Sequence, residues 1–308
     1  MKTSFSYRSA MRLTCLGMAL LALFWIAPSK ADSQTTRAVE VTPDKEKRSL
    51  IRSVDGYAFL SEDMTLAETR ATAFANAKRQ AVEMVRTYIK SKTKIEDFVL
   101  KSDKITASAE GAVTILEQKD HGVEDNTRYH VWIKAEVEYD LKPKGQGAEE
   151  HEMDADAPLT VKVWTSKKQY KDGDNINIVV QGNRNFYARI VNISSDGTII
   201  QLLPNAYRKI NFFEAGKIYK IPDRGDLFTL TVSPPYGEDQ IVVYASQVPL
   251  GRVDMEEIGQ GLSRYKGTRS AFAAKTRGIA VVSGAADTES GAEFYEAAWK
   301  FRTGKGEK

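Results

Sequence analysis

Cysteine is nearly missing from this sequence. Among 308 residues there is one, Cys15, and it stands inside the chain's one long apolar run. A single thiol closes no intrachain disulfide and offers no paired spacing for a thiolate metal site. Histidine is almost as scarce, with only His121, His130 and His151. There is no H-E-x-x-H, no G-x-S-x-G elbow, no Walker lysine loop and no G-x-G-x-x-G. The sequence therefore carries no recognisable zinc, serine-hydrolase or nucleotide-binding pattern, and no metal or other cofactor is expected. An excess of one charge is also lacking, since 44 Lys and Arg face 41 Asp and Glu. The 9 prolines and 21 glycines are too few for a collagen-like or low-complexity chain, and 42% hydrophobic content argues against disorder.

The small positive excess has one source. Lys2, Arg8, Arg12 and Lys30 lie in the first 31 residues, which hold no acid; without them 40 cations face 41 acids. Behind the basic start comes an apolar run, Leu13–Ala27, and then Ser29 and Ala31, two small residues at the spacing a signal peptidase reads. The run would span about 22 Å as a helix, short of the roughly 30 Å hydrocarbon core. A signal peptide over 1–31, cleaved after Ala31, is the expectation, with a periplasmic or secreted product. Cys15 lies near the start of the run, where a lipid-modified cysteine would follow it. No later stretch approaches 18 apolar residues, so no membrane span is expected after cleavage. A near-neutral exported chain also makes nucleic acid a poor partner.

The length suggests two domains. Residues 32–50 are polar and aperiodic and read as a flexible leader. Residues 51–142 read as an α+β domain. A strand is expected over Ser53–Leu60, then a helix capped by Asp63 or Thr65 with a stripe of Leu66, Ala73, Ala77, Ala81, Met84, Val85, Tyr88 and Ile89. Its alanine-rich face suits close packing on a sheet. Gly111–Gln118 reads as a strand and His121–Thr127 as a turn. Tyr129–Tyr139 alternates, with Tyr129, Val131, Ile133, Ala135, Val137 and Tyr139 on one face and polar residues on a solvent-facing side. Residues 143–157, with Gly145, Gly147 and five acids, read as a linker. From 158 to 308 short strands and turns point to a β-rich, sandwich-like domain. Strands are expected at Leu159–Trp164, Asn175–Val180, Phe186–Ile193, Thr198–Leu203, Ile218–Ile221, Leu227–Val232 and Ile241–Ala245. A helix from Asp254 to Tyr265 and closing strands at Gly278–Ser283 and Tyr295–Phe301 complete it. The fold class is α+β: a helix on an antiparallel sheet, followed by a β-rich sandwich-like part.

Two resemblances accompany this reading. Asp55-Gly56-Tyr57-Ala58, the alanine-rich Ala67–Ala77 with Arg70 and Asn76, Arg79–Glu83, Ser102–Ile105 and the Tyr129–Val137 strand make residues 53–140 resemble a known domain. It is the N-terminal domain of the flagellar assembly protein T family and related envelope lipoproteins. Tyr170–Asp174, Phe186-Tyr187-Ala188, Leu202-Leu203-Pro204-Asn205, Ile221-Pro222, Pro235-Tyr236-Gly237 and Ala245-Ser246 make residues 159–250 similar to another domain. That one is an uncharacterised bacterial extracytoplasmic domain, also found joined to caspase-like peptidases and protein kinases. Together they imply an accessory binding or assembly module with an envelope protein partner, rather than an enzyme.

The candidate site residues follow from this. Asn205, Tyr207, Arg208 and Tyr187 are a candidate binding rim, near Phe212, Phe213 and Trp164; the simpler alternative makes Asn205 a turn residue bonding the backbone. Arg264, Lys266 and Arg269, with Lys275 and Arg277, form a basic stretch with no acid from Ile258 to Ala286, suited to a solvated face or to an anionic lipid or acidic partner. Asp172-Gly173-Asp174 reads as a turn rather than a calcium loop. The three histidines read as solvated surface residues. A cell-wall hydrolase using paired carboxylates has no sequence signature beyond geometry and stays open as an alternative, as does a glycan- or peptide-binding module.

Overall fold

The computed structural model describes residues 45–92, 98–100, 113–141, 153–278 and 291–306. The apolar run, the cleavage point after Ala31, most of the 143–157 linker and His151 lie outside them.

Helix α1 (Leu66–Lys92) begins on a reciprocal cap. The Glu68 N–H donates to Thr65 Oγ1 at 3.2 Å, and the Thr65 N–H donates to Glu68 Oε2 at 2.8 Å. Its buried stripe is Thr69, Ala73, Ala77, Ala81, Val82, Val85 and Ile89. Leu66 and Met84, expected in it, are exposed. The stripe is narrow because the helix rests on small side chains. It lies against strands β1 (Lys45–Phe59) and β4 (Arg128–Leu141), which pair antiparallel. At Gly56 the backbones come so close that a Cβ would sit 2.6 Å from Ala77 Cβ and closer still to the Ala73 carbonyl oxygen. Strand β3 (Val113–Glu124) and the short β2 (Phe98–Leu100) pair with the other edge of β4.

The expected turn at His121–Thr127 is shorter than the polarity of that stretch suggests. β3 runs to Glu124, and the chain reverses at Asp125 and Asn126, with φ of 51° and 52°, the pair of left-handed residues a tight hairpin turn needs. His121 therefore lies within a strand, at a register irregularity between Asp120 and Gly122.

The C-terminal half forms two facing layers. Strands β5 (Val161–Thr165), β7 (Ile178–Gly182) and β11 (Tyr219–Ile221) make a three-stranded sheet. Opposite lie β8 (Phe186–Ile193), β9 (Ile199–Leu203), β12 (Glu238–Ser246) and β15 (Ala292–Gly304). Between the layers sit Val161, Val163, Ile178, Phe186, Val243 and Trp299. Short strands β6 (Gln169–Lys171) and β10 (Phe212–Phe213) pair with β15 and β8; the β6 pairing is parallel. The expected helix at Asp254–Tyr265 is a hairpin, β13 (Glu256–Gly259) with β14 (Leu262–Tyr265). Gly259, Gln260 and Gly261 take φ of 90°, 52° and 74°, which no α-helix accommodates. A helix does follow, α2 (Arg269–Arg277), capped by Thr268. The expected strand at Leu227–Val232 forms only a single bridge, Asn175 to Thr231, and Gly278–Ser283 lies outside the described residues beyond Gly278. The architecture is thus α+β with a β-rich C-terminal part.

β1 starts at Lys45 rather than Ser53, so residues 45–50, expected as leader, are strand. The extension pairs with β15, Lys45 opposite Ala298 and Ile51 opposite Ala292. The large sheet consequently runs β13-β14-β9-β8-β12-β15-β1-β4-β2. Two buried charge networks cross this region. Arg277 contacts Glu136 Oε1 at 2.9 Å and Glu296 Oε2 at 3.0 Å, while Ser49 Oγ donates to Glu136 at 2.6 Å. Glu293 accepts bonds from the Tyr88 hydroxyl, from Leu159 N at 2.6 Å and from Arg184 Nη1 at 3.2 Å. Glu136 belongs to the face of β4 expected to meet solvent, yet it is buried. Alternation reports two faces; on the second, the Arg277 side chain at the end of α2 reaches across to Glu136.

Candidate functional site

Four strands of the large sheet each turn alternate side chains toward the same end of the layered half. Asn192 and Ser194 lie at the end of β8, Ile200 and Leu202 on β9, Asp239 and Ile241 at the start of β12, and Phe301 and Thr303 at the end of β15. Ile176, Ile178 and the extended Thr229–Pro235 segment face them from the other layer, and Gln260 and Leu262 close one side. The result is a groove of about 290 Å³. A second recess of about 170 Å³, lined by Asn205, Tyr207, Leu227 and Phe228, shares Thr229, Leu230, Gln260 and Leu262 with it. The two are parts of one groove whose walls mix isoleucine, leucine, proline and phenylalanine with serine, threonine, asparagine and glutamine, a concave surface with convergent polar groups of the kind that binds ligands.

Asp239 is the one charged residue among those lining the groove and is 7% exposed. Its Oδ1 accepts from Ser195 N at 2.9 Å. Burial raises its pKa above the usual carboxylate value and the nearby Asp196 charge adds to this; the bonds from Ser195 N and the Asn192 side chain oppose it. Among the described residues no cation pairs with it. Asn192 Oδ1, in the same wall, is buried without a hydrogen-bond partner. Asp239 was open to discovery in the sequence: it falls in register with Ile241, Val243 and Ala245, the core-facing set of β12.

The expected rim residues divide. Asn205 and Tyr207 line the outer recess. Asn205 also holds its own turn, Oδ1 accepting from Tyr207 N at 2.9 Å and Arg208 N at 2.8 Å and Nδ2 donating to Leu202 O at 2.9 Å. Tyr207 is 55% exposed, and its ring stacks with Phe228 at 6.1 Å. Gly261 opposes that ring so closely that a Cβ would lie 2.6 Å from it. Arg208 is committed elsewhere, pairing with Asp226 at 3.0 Å and Asp223 at 3.5 Å, which ties the two loops together. Tyr187 does not join the rim. In β8 it is out of phase with Ala188 and Ile190, which face the layered core, and it meets Phe212 ring to ring at 5.1 Å. Phe213 is buried against Phe186, and Trp164 packs on the core.

The basic stretch is partnered by acids from other strands. Glu256, opposite Arg264 across the β13–β14 hairpin, meets it at 2.8 Å and Lys266 at 2.9 Å. Arg269 pairs with Glu296 at 2.8 Å. Sheet pairing supplies the negative charge that the linear stretch lacks. Asp172–Asp174 forms the turn expected of it: Gly173 takes φ +80°, and Asp174 Oδ2 accepts from Lys171 N at 3.0 Å.

A second cluster lies on the sheet face away from α1. His130, expected in solvent, is 9% exposed. Its ring lies between those of Tyr57 at 4.5 Å and His121 at 4.4 Å, and Arg128 covers the Tyr57 ring at 4.5 Å. His130 Nδ1 meets Glu124 at 2.5 Å and Nε2 meets Asp55 at 2.8 Å. Desolvation lowers its pKa, but the two carboxylates outweigh it and the net shift is upward. Glu124 moves down for the matching reason, its bond to His130 first. No metal-holding group of His, Cys, Asp and Glu occurs among the described residues.

A family model for a domain of unknown function (DUF4384) matches residues 169–249. That segment runs from β6 through β12 and supplies most of the groove, including Asp239, Asn205 and Tyr207; Gln260, Leu262, Phe301 and Thr303 come from beyond it. No curated protein matches the chain.

Proposed function

We propose that this chain is a non-enzymatic protein of the periplasm or cell envelope that acts as a binding or assembly adaptor, with the groove of its C-terminal half as the binding site. The observation that carries this reading is the groove itself: walls of mixed apolar and hydroxyl side chains, an exposed aromatic rim at Tyr207 and one buried carboxylate. The basic start, apolar run and small-residue spacing of residues 1–31 support the compartment. The resemblance of residues 53–140 to the flagellar assembly protein T domain supports a role in an envelope assembly. A hydrolase working through two carboxylates sets them across a cleft, whereas Asp239 is the sole acid lining this groove among the described residues.

The test places a photo-crosslinking residue at Tyr207, on the rim, or at Glu83, on the exposed side of α1. Cells are irradiated intact and then fractionated. The expected result is an envelope-located protein that forms a discrete adduct from position 207 and none from 83. A cytoplasmic protein without adducts from either position would overturn the proposal.

A further inference from the structure

We infer that the groove selects ligands ending in an alkylammonium, a positively charged amine on an apolar stem, with Asp239 as the counter-charge. The inference rests on the reading of the groove as a binding site and names what it recognises. Asp239 is 7% exposed; it accepts a backbone bond from Ser195 N at 2.9 Å and one from the Asn192 side chain, both neutral donors. Among the described residues no Lys, Arg or His pairs with it and none lines the groove. Buried carboxylates are ordinarily paired, because a charge taken from water without a counter-charge is costly. The neighbouring acid, Asp196, adds negative potential. Asn192 Oδ1, a buried acceptor without a partner, stands in the same wall. The polar end of the groove thus carries a buried negative charge and, among the described residues, no positive one. An ammonium group supplies it.

The remainder of the groove sets the stem. Ile176, Ile178, Leu230, Ile241, Leu262 and Phe301 form the apolar part of the groove that Asp239 also lines. The groove's volume of about 290 Å³ is far above the roughly 10–15 Å³ that a single water needs, so a short alkyl stem with its amine fits within it. A neutral ligand of that shape would gain the apolar contacts and leave Asp239 uncompensated. A carboxylate would be repelled. A lysine side chain of a partner protein and a free alkylamine present the same chemistry.

The experiment compares n-hexylamine, 1-hexanol and hexanoate by ligand-observed saturation-transfer NMR on the full chain and on Asp239→Asn. A fourth probe is the peptide acetyl-Ala-Leu-Lys-Leu-Ala-amide. Hexylamine should bind at least roughly tenfold more tightly than hexanol, as a charge-assisted bond to a buried partner implies, and hexanoate should bind worst. Asp239→Asn should erase the amine's advantage over hexanol, with the circular dichroism spectrum and urea midpoint of the variant reporting that it is folded. In the wild type, the advantage should fade on acidification as the carboxylate takes up a proton, a measurement that needs no variant. Binding of the peptide identifies a protein side chain as the source, and binding of hexylamine without the peptide identifies a small amine; either supports the inference. Equal binding of amine, alcohol and carboxylate would overturn the role of Asp239 while leaving the groove a binding site. Binding of no probe would overturn the groove as a site.

Discussion

Removing one cation, Arg277, should loosen the region where the two halves share a sheet. The guanidinium lies against Glu136 of β4 at 2.9 Å and Glu296 of β15 at 3.0 Å, and all three side chains are nearly out of solvent. In Arg277→Met the two carboxylates fare differently. Glu296 keeps Arg269 at 2.8 Å; Glu136 keeps only the Ser49 hydroxyl at 2.6 Å and loses its cation. Stranding a buried charge in this way costs about 3–5 kcal/mol. With Glu296 still paired, the lower end, about 3 kcal/mol, is expected. For a folded unit of this size that is a fall of about 6–12 °C in Tm. Urea unfolding at neutral pH measures it, followed by far-ultraviolet circular dichroism and by fluorescence, with Trp132 and Trp299 reporting on β4 and β15. Arg277→Met combined with Glu136→Gln removes the stranded charge and should regain about half or more of the loss, giving a coupling energy of at least about 1 kcal/mol. Were Arg277→Met within about 1 kcal/mol of the wild type, or the double variant no better than the sum of its parts, the network would not be holding the halves together.

Two further outcomes follow from local geometry. Gly56→Ala would gain about 0.4–1 kcal/mol by restricting the unfolded chain, but the new methyl collides with the backbone of α1 at Ala73 and with Ala77 Cβ. Overpacking of about 1–3 kcal/mol should win, and a variant as stable as the wild type in urea would show that the helix has room to move. His130 has a folded-state pKa above its unfolded value, so its contribution is fully present below the unfolded pKa, near 6.5, and is lost as pH rises through the folded one. The wild type should therefore lose stability relative to His130→Gln as pH rises from the unfolded value near 6.5 through the higher folded one, and an NMR titration midpoint for His130 below that of an unfolded histidine would contradict the reasoning.

Several features stood open in the linear sequence because they depend on neighbours a few residues away. Thr65 and Glu68 cap α1, Ala73, Ala77 and Ala81 form its buried stripe, and Asn205 bonds its own turn. Half of the rim was legible too, in Asn205 and Tyr207. One failure is local: the hairpin at 256–265 was open to prediction from Gly259 and Gly261, whose positive φ an α-helix does not take. The others are long-range. Arg264, Lys266 and Arg269 seem unpaired along the chain because Glu256 and Glu296 reach them through strand pairing and helix packing. Tyr187 left the rim because one residue of strand register turns it to the opposite face.

What the sequence by itself determined is the class of each element and the face it buries. Period-2 and period-3.6 patterns and local hydrogen-bond chemistry are written into consecutive residues. Whether the second face of a strand meets water is not, and neither is the partner of its edge. Glu136 and His130 sit on the polar side of an alternating strand, and it is Arg277 and Ser49 around one and the Tyr57–His121 stack around the other that accompany their burial. The tertiary structure alone joined β1 to β15, placed Arg277 between Glu136 and Glu296, and gathered Asn192, Asp239, Gln260 and Phe301 around one groove. Those contacts connect segments far apart along the chain, and what selects them is burial of apolar surface and pairing of charge across the whole fold.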